Sequence, residues 1–203
     1  MFRKLASEPS LNVFGEISEI VGSLRQGDIA GIIVTDQLAY SYVLNLILSS
    51  VGTFYYMDVS SRIHSGDILF ARVYSLEDVF SALEFVDESS VIAVGSFNVL
   101  GINGKQLFEI KKMIDSKGLY GVFIAEEQNL NELDILGEAR RIFDVPELFE
   151  QLLVVRVSHY RGKYKAGLTV LRTYLDNLAS LGEHELSVKE ELLFPGKVGQ
   201  QKE

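Results

Sequence analysis

The feature that most constrains this chain is an alternation of short apolar runs with helical stretches. "IAGIIVT" (29–35), "GTFYYMDVS" (52–60), "SSVIAVGSF" (89–97) and "LYGVFIAEE" (119–127) read as strands, and "DILFARVY" (67–74) as a further short one. Runs that are apolar throughout, rather than at every second position, suit strands buried on both faces. Between them lie "LAYSYVLNLILSS" (38–50), "SLEDVFSALEFVDE" and "GKQLFEIKKMIDSKG" (104–118). In the second of these, apolar residues at 76, 79, 80, 83 and 86 follow helical spacing. Ser75 and Asp78 form a capping box with Asp in place of Glu or Gln, and Gly118 suits the left-handed position that ends a helix. Strands alternating with helices imply an α/β fold with a mainly parallel sheet covered on both faces. Such sheets bind ligands beyond the carboxyl ends of their strands. Here that edge holds the turn after Val34, the residues after Met57 and those after Val94.

The 203 residues suit one domain, and a hydrophobic fraction of 47% supplies a sizeable core. The expected division is a lead-in over 1–17, a core domain over 18–180 and a polar tail over 181–203 whose end is disordered. The segment around Pro146 reads as mostly helical or irregular, and 152–175 as two strands around a basic turn with Gly162 and Gly167. No apolar run approaches the roughly 18 residues that a membrane span needs. The N-terminus lacks a continuous apolar stretch, and cysteine is absent, which excludes disulfides and thiolate metal sites. A cytoplasmic location is expected.

The order of these segments resembles the core of the RecA-like ATPases, the group of RecA, archaeal RadA and the KaiC proteins, over residues 18 to 175. "SEIVGSLRQGDIAGIIV" looks like that group's lead-in and first core strand, and "GTFYYMDVSS" like the next strand. "RVYSLEDVFSALE" looks like the segment beyond, "SSVIAVGSFNVLG" like the Walker B strand and "GLYGVFIAEEQN" like the strand that ends in a sensor residue. The resemblance implies a three-layer sandwich with a C-terminal antiparallel hairpin.

Against that resemblance the chemistry is missing. A phosphate loop needs glycines that let backbone N–H groups close on phosphate, a lysine for the β and γ phosphates, and Ser or Thr for magnesium. The matching positions are Val34, Thr35, Asp36, Gln37, Leu38, Ala39, Tyr40 and Ser41, with Tyr40 where the lysine would stand. Only Ser41 matches, and Asp36 would repel phosphate. The Walker B Asp position is Gly95, and the position of the catalytic Glu is Ser60, with Asp58 two residues early. The resemblance therefore implies a chain without ATP hydrolysis and without a bound cofactor. The Phe-x-x-Ala motif through which the group's recombinases polymerise is also absent.

The net charge of −9 argues against a polyanion-binding surface spread over the whole protein. Yet Arg156, Arg161, Lys163, Lys165 and Arg172 fall together with no acid among them. With His159, Tyr160 and Tyr164 interleaved, this hairpin suits a nucleic acid: cations neutralise phosphates and aromatic faces stack bases. The alternatives are a solvated hairpin whose charges keep an edge strand from pairing, and a dock for an acidic protein. His64, His159 and His184 are too scattered for a metal site. The pairs Glu126–Glu127 and Glu190–Glu191 suit solvated faces, and the Ser, His and Asp of "SRIHSGD" are close only in sequence. The expected function is that of a non-catalytic accessory protein in DNA recombination and repair, binding DNA, expected to be single-stranded, a recombinase partner or both. The alternative is a KaiC-like regulatory or assembly scaffold that binds an ATPase without nucleic acid.

Overall fold

The structure is a computed structural model and describes residues 8–60 and 68–194. In chain order its elements begin with β1 (Ser10–Leu11), α1 (Glu16–Val21), β2 (Leu24–Arg25), β3 (Ile29–Val34), α2 (Gln37–Val51), β4 (Phe54–Asp58) and β5 (Ile68–Arg72). There follow α3 (Leu76–Glu84), β6 (Val91–Val94), α4 (Gly104–Lys117), β7 (Tyr120–Glu126), α5 (Ile135–Phe143), β8 (Gln151–Tyr160), β9 (Lys163–Arg172), β10 (Gly182–Val188) and α6 (Glu190–Leu193). Short 3-10 turns flank α5, and another spans Leu175–Ser180.

One eight-stranded sheet runs β10-β9-β8-β3-β7-β6-β4-β5, and β1 pairs with β2 in a separate ribbon. The six strands from β8 to β5 are mutually parallel, and β9 and β10 are antiparallel additions. Burial on both faces explains why the central strands read as continuous apolar runs. In β3, Ala30, Ile32 and Val34 face a core shared with α1, α2 and α6, while Ile29 and Ile33 face one shared with α3, α4 and α5. Gly31 is required on the second face, where a Cβ would come within 2.8 Å of Leu152 and 3.0 Å of Phe149.

The capping box on α3 is present, with Asp78 N donating to Ser75 Oγ and the Asp78 side chain accepting from Ser75 N. Gly118 ends α4 at φ 61, ψ 36. Two expectations need correction. Residues 182–194 of the expected polar tail belong to the fold: β10 pairs with β9 along its whole length, and Val188 and Leu193 are buried, while 195–203, where the disordered end is expected, lie outside the described residues. His184, Leu186 and Val188 turn inward while Glu183, Glu185 and Ser187 face water, so a half-buried edge strand reads as polar. Residues 8–17 likewise hold more than a lead-in, because Val13, Phe14 and Ile17 are buried against α2 and the sheet. His64 and the Ser/His/Asp string at 61–67 lie outside the described residues. Among the described residues no helix is long and apolar enough to cross a membrane.

Candidate functional site

β3 and α2 are joined by only two residues. Val34 closes the strand, Thr35 and Asp36 make the connection, and Gln37, Leu38, Ala39, Tyr40 and Ser41 already lie in the helix. The sequence reading placed a degenerate loop over 34–41, but a two-residue connection has no backbone left to curl around a phosphate. The helix N-terminus, where an anion would be held, is occupied by the chain itself. Asp36 is the N-cap, its Oδ1 accepting from Ala39 N at 2.8 Å and its Oδ2 from Thr35 Oγ1 at 3.1 Å.

Starting the helix at Gln37 aims Tyr40 at the carboxyl end of the sheet. Its hydroxyl meets that of Tyr56 at 2.9 Å and donates toward Asp58 Oδ2 at 3.3 Å. Tyr56 also donates to Asp58 Oδ2, and Asp58 Oδ1 accepts from Val59 N at 2.7 Å. All three side chains are buried. Burial, followed by Tyr40 and Asp58, pushes the Tyr56 phenol far above its ordinary value, so it stays protonated and donates. The cluster packs against Gly95, whose N–H donates to Met57 O at 2.7 Å. A Cβ on Gly95 would overlap the Tyr40 hydroxyl, stand 2.8 Å from that of Tyr56 and 3.0 Å from Asp58 Cγ. Tyr40 and Gly95, expected from the resemblance to stand where a lysine and a magnesium-ordering Asp would be, are thus a tyrosine and the glycine that makes room for it.

Ser41, the one match to the phosphate loop, donates to Leu193 O at 3.1 Å. With Asn45, whose Nδ2 donates to Leu192 O at 2.8 Å, it fastens α6 to α2. The other acids of this edge are also engaged. Arg141 meets Glu127 at 2.8 Å and holds its carboxyl below the usual range, and the backbone carbonyl of Glu126, not its carboxylate, accepts from Asn98 Nδ2 at 2.9 Å. Glu190 and Glu191 are exposed in the first turn of α6.

The basic hairpin is divided by its own geometry. Cross-strand pairs place Tyr160 with Lys163 on one face and His159 with Tyr164 on the other. His159 stacks on Tyr164 at 4.4 Å, and Phe194 packs on Tyr164 at 5.8 Å, so these two belong to the face that carries α6. Arg156 is paired with Glu132 at 3.0 Å and Lys165 with Glu185 at 2.6 Å. Arg172 lies at the opposite end of β9, about 30 Å from Lys163 at the usual strand rise. Eight candidates within residues 156–172 therefore do not form one surface. Tyr160, Arg161 and Lys163 remain together at the tip, where Arg161 lies over the Tyr160 ring at 5.0 Å. His184 is engaged elsewhere, its Nε2 meeting Ser180 O at 2.7 Å.

Sequence reasoning missed Tyr56, Glu132 and Glu185. Tyr56 had a local signal, since it precedes Asp58 by two and shares its side of β4. Glu185 was legible only once the 183–188 alternation is read as a strand. It also missed a charged cluster at the amino end of the sheet. Asp28 Oδ2 accepts from Tyr174 at 2.9 Å, and Lys111 reaches Glu150 at 2.6 Å and Asp28 at 4.0 Å.

The fold is a RecA-like α/β sandwich: a mixed eight-stranded sheet between two helical layers, with the antiparallel strands β9 and β10 at one edge. The same fold is found in the crystal structure of the flagellar accessory protein FlaH from Methanocaldococcus jannaschii. The match has a TM-score of 0.59 at 14% sequence identity and covers 90% of this chain and 96% of that one. No family model matches the chain. No curated protein matches it either.

Proposed function

We propose that this protein is a non-catalytic RecA-like accessory protein, of the RadA-paralogue or KaiC-like kind. It would serve DNA recombination and repair by holding DNA and a recombinase or other ATPase rather than by turning over nucleotide. The observation that carries this reading is the Tyr40 hydroxyl in the space beside Gly95, where the lysine and acid of a working site would act on phosphate and magnesium. An accessory role parallels the description of FlaH. The partner surface in this reading is β5, an edge strand that leaves Leu69 50% and Phe70 39% exposed and has no outer strand among the described residues. The test is titration of the full chain with Mg·ATP, followed by calorimetry and phosphate release. Neither heat nor turnover is expected, and turnover that disappears in Ser41→Ala or Tyr40→Phe overturns the proposal.

The hairpin favours a second reading, an assembly or regulatory scaffold that binds an ATPase without nucleic acid. Its specific support is that Arg156 and Lys165 are already offset by Glu132 and Glu185 in a protein of net charge −9. Co-purification with an ATPase that survives nuclease treatment selects this reading, and loss on nuclease treatment selects the first.

A further inference from the structure

We infer that the tip of the β8–β9 hairpin is a minimal single-strand nucleic-acid contact, in which Tyr160 stacks one base and Arg161 and Lys163 take two phosphates. The inference rests on the nucleic-acid half of the proposed function and narrows it to three residues.

The geometry sets the tip apart. β8 pairs with β3 only as far as Val155, opposite Val34, so residues 156–160 run on beyond the parallel strand. At the usual rise that overhang is about 17 Å. Arg161 and Gly162 make the turn, with φ of 50 and 75, the two positive angles of a tight two-residue hairpin. Asn or Gly is the usual residue at the first of these positions, and arginine there places a cation at the apex. Tyr160 is 63% exposed, and its cross-strand partner is Lys163. Arg161 lies over one face of the Tyr160 ring, so a base stacks on the opposite face, and an aromatic ring flanked by two cations matches the alternation of base and phosphate along a single strand. In a duplex the bases are already stacked, and Tyr160 would have no face to meet.

Charge complementarity fixes the size of the contact. Arg156 and Lys165 have carboxylate partners, so their local net charge is zero and their engagement would release no counterion. With Arg172 at the far end of β9, two cations remain at the tip, and two neutralised phosphates on a single strand give a salt slope of about −1.4, against about −3.5 for five. Between 50 and 200 mM salt the affinity should fall about sevenfold, rather than about 130-fold.

The experiment is fluorescence anisotropy of the full chain with a labelled oligothymidine and a labelled duplex, from 25 to 200 mM salt. Single-strand preference, a slope near −1.4 and loss of binding in Arg161→Asn/Lys163→Gln are expected. Asn is favoured at positive φ, so that variant keeps the turn, and a thermal melt verifies its fold. Tyr160→Ala should weaken binding about tenfold. The charge-neutral pairs Lys165→Gln/Glu185→Gln and Arg156→Gln/Glu132→Gln should leave affinity within about twofold. No binding to either oligonucleotide at 25 mM salt overturns the nucleic-acid reading itself. Binding with a slope near −3.5, or binding weakened by the charge-neutral pairs, overturns the two-cation contact and leaves that reading standing. Equal affinity for duplex, or an inert Tyr160→Ala, overturns the single-strand assignment. Displacement by polyglutamate as effective as by unlabelled oligothymidine of equal charge assigns the tip to an acidic protein partner.

Discussion

The hydroxyl of Tyr40 fills the space that a Cβ on Gly95 would need. The two residues are 55 positions apart in sequence and fit each other in the fold. Gly95→Ala should therefore force Tyr40 off its rotamer and disturb the Tyr56–Asp58 hydrogen bonds, at a cost of about 1–3 kcal/mol. Tyr40→Phe alone removes a buried donor and should cost about 1–2 kcal/mol. The double variant should be less destabilised than the sum by about 1 kcal/mol or more, because the lost hydroxyl leaves room for the added methyl. Urea unfolding of the four proteins measures the cycle. Strict additivity would mean that the two residues do not share this space.

Asp36 holds the start of α2 in the way a bound anion would. Asp36→Ala should cost about 1 kcal/mol, and Asp36→Ser should recover most of it, because serine also accepts from the first turn. Thermal unfolding distinguishes them. Equal loss in both variants would show that the carboxylate matters for something other than the cap.

Lys117, the last residue of α4, caps another helix. Its ammonium donates to Leu83 O at 2.7 Å, Glu84 O at 2.8 Å and Val86 O at 2.9 Å, the carbonyls at the end of α3. The last carbonyls of a helix lack their i+4 partners, and although Leu83 O also accepts from Val86 N at 3.3 Å, a cation there adds a donor and meets the negative end of the dipole. Lys117→Met should cost about 1–3 kcal/mol and raise amide exchange in α3. Lys112→Met is the control: its pair with Glu109 is exposed, and its loss should change stability by less than about 0.5 kcal/mol. Similar effects from both variants would sink the cap.

The contrast between the two lysines shows what the chain discloses by itself. Strand and helix order were legible because burial on both faces imposes apolar runs, and each run is a local property. Tyr40, Ser60 and Gly95 stood out in the sequence because the resemblance fixes which positions to inspect. Their physical linkage did not, since it depends on Tyr56 arriving from β4. The partners of Arg156 and Lys165 were not legible for the same reason: Glu132 and Glu185 reach the hairpin only through the fold. β10 was missed because an edge strand needs only half its side chains to be apolar.

Asp28 belongs to the same class of hidden, non-local relationships, and it gives the protein a pH signature. Burial first, and Glu150 second, raise its carboxyl from 3.8 to about 6, against the lowering effects of Tyr174 and Lys111. Glu8 adds a smaller raising effect. The folded chain thus holds this proton more tightly than the unfolded chain. Between about pH 4 and pH 6 stability should fall as pH rises, and above that window the contribution is constant. The loss is of the order of 2–3 kcal/mol, since the carboxylate is only 21% exposed. Asp78, Glu127 and Glu147 are held below their usual values and act in the opposite sense, losing their contribution as pH falls. The comparison that isolates Asp28 is therefore with Asp28→Asn, which can still accept from Tyr174 and carries no charge at any pH. Urea unfolding from pH 4 to 8 should show the variant more stable than the parent at pH 7 and nearly equal to it at pH 4. A difference that is the same at both ends of the range would mean that Asp28 keeps an ordinary carboxylate pKa, and that the cluster with Lys111, Glu150 and Tyr174 stabilises its charge.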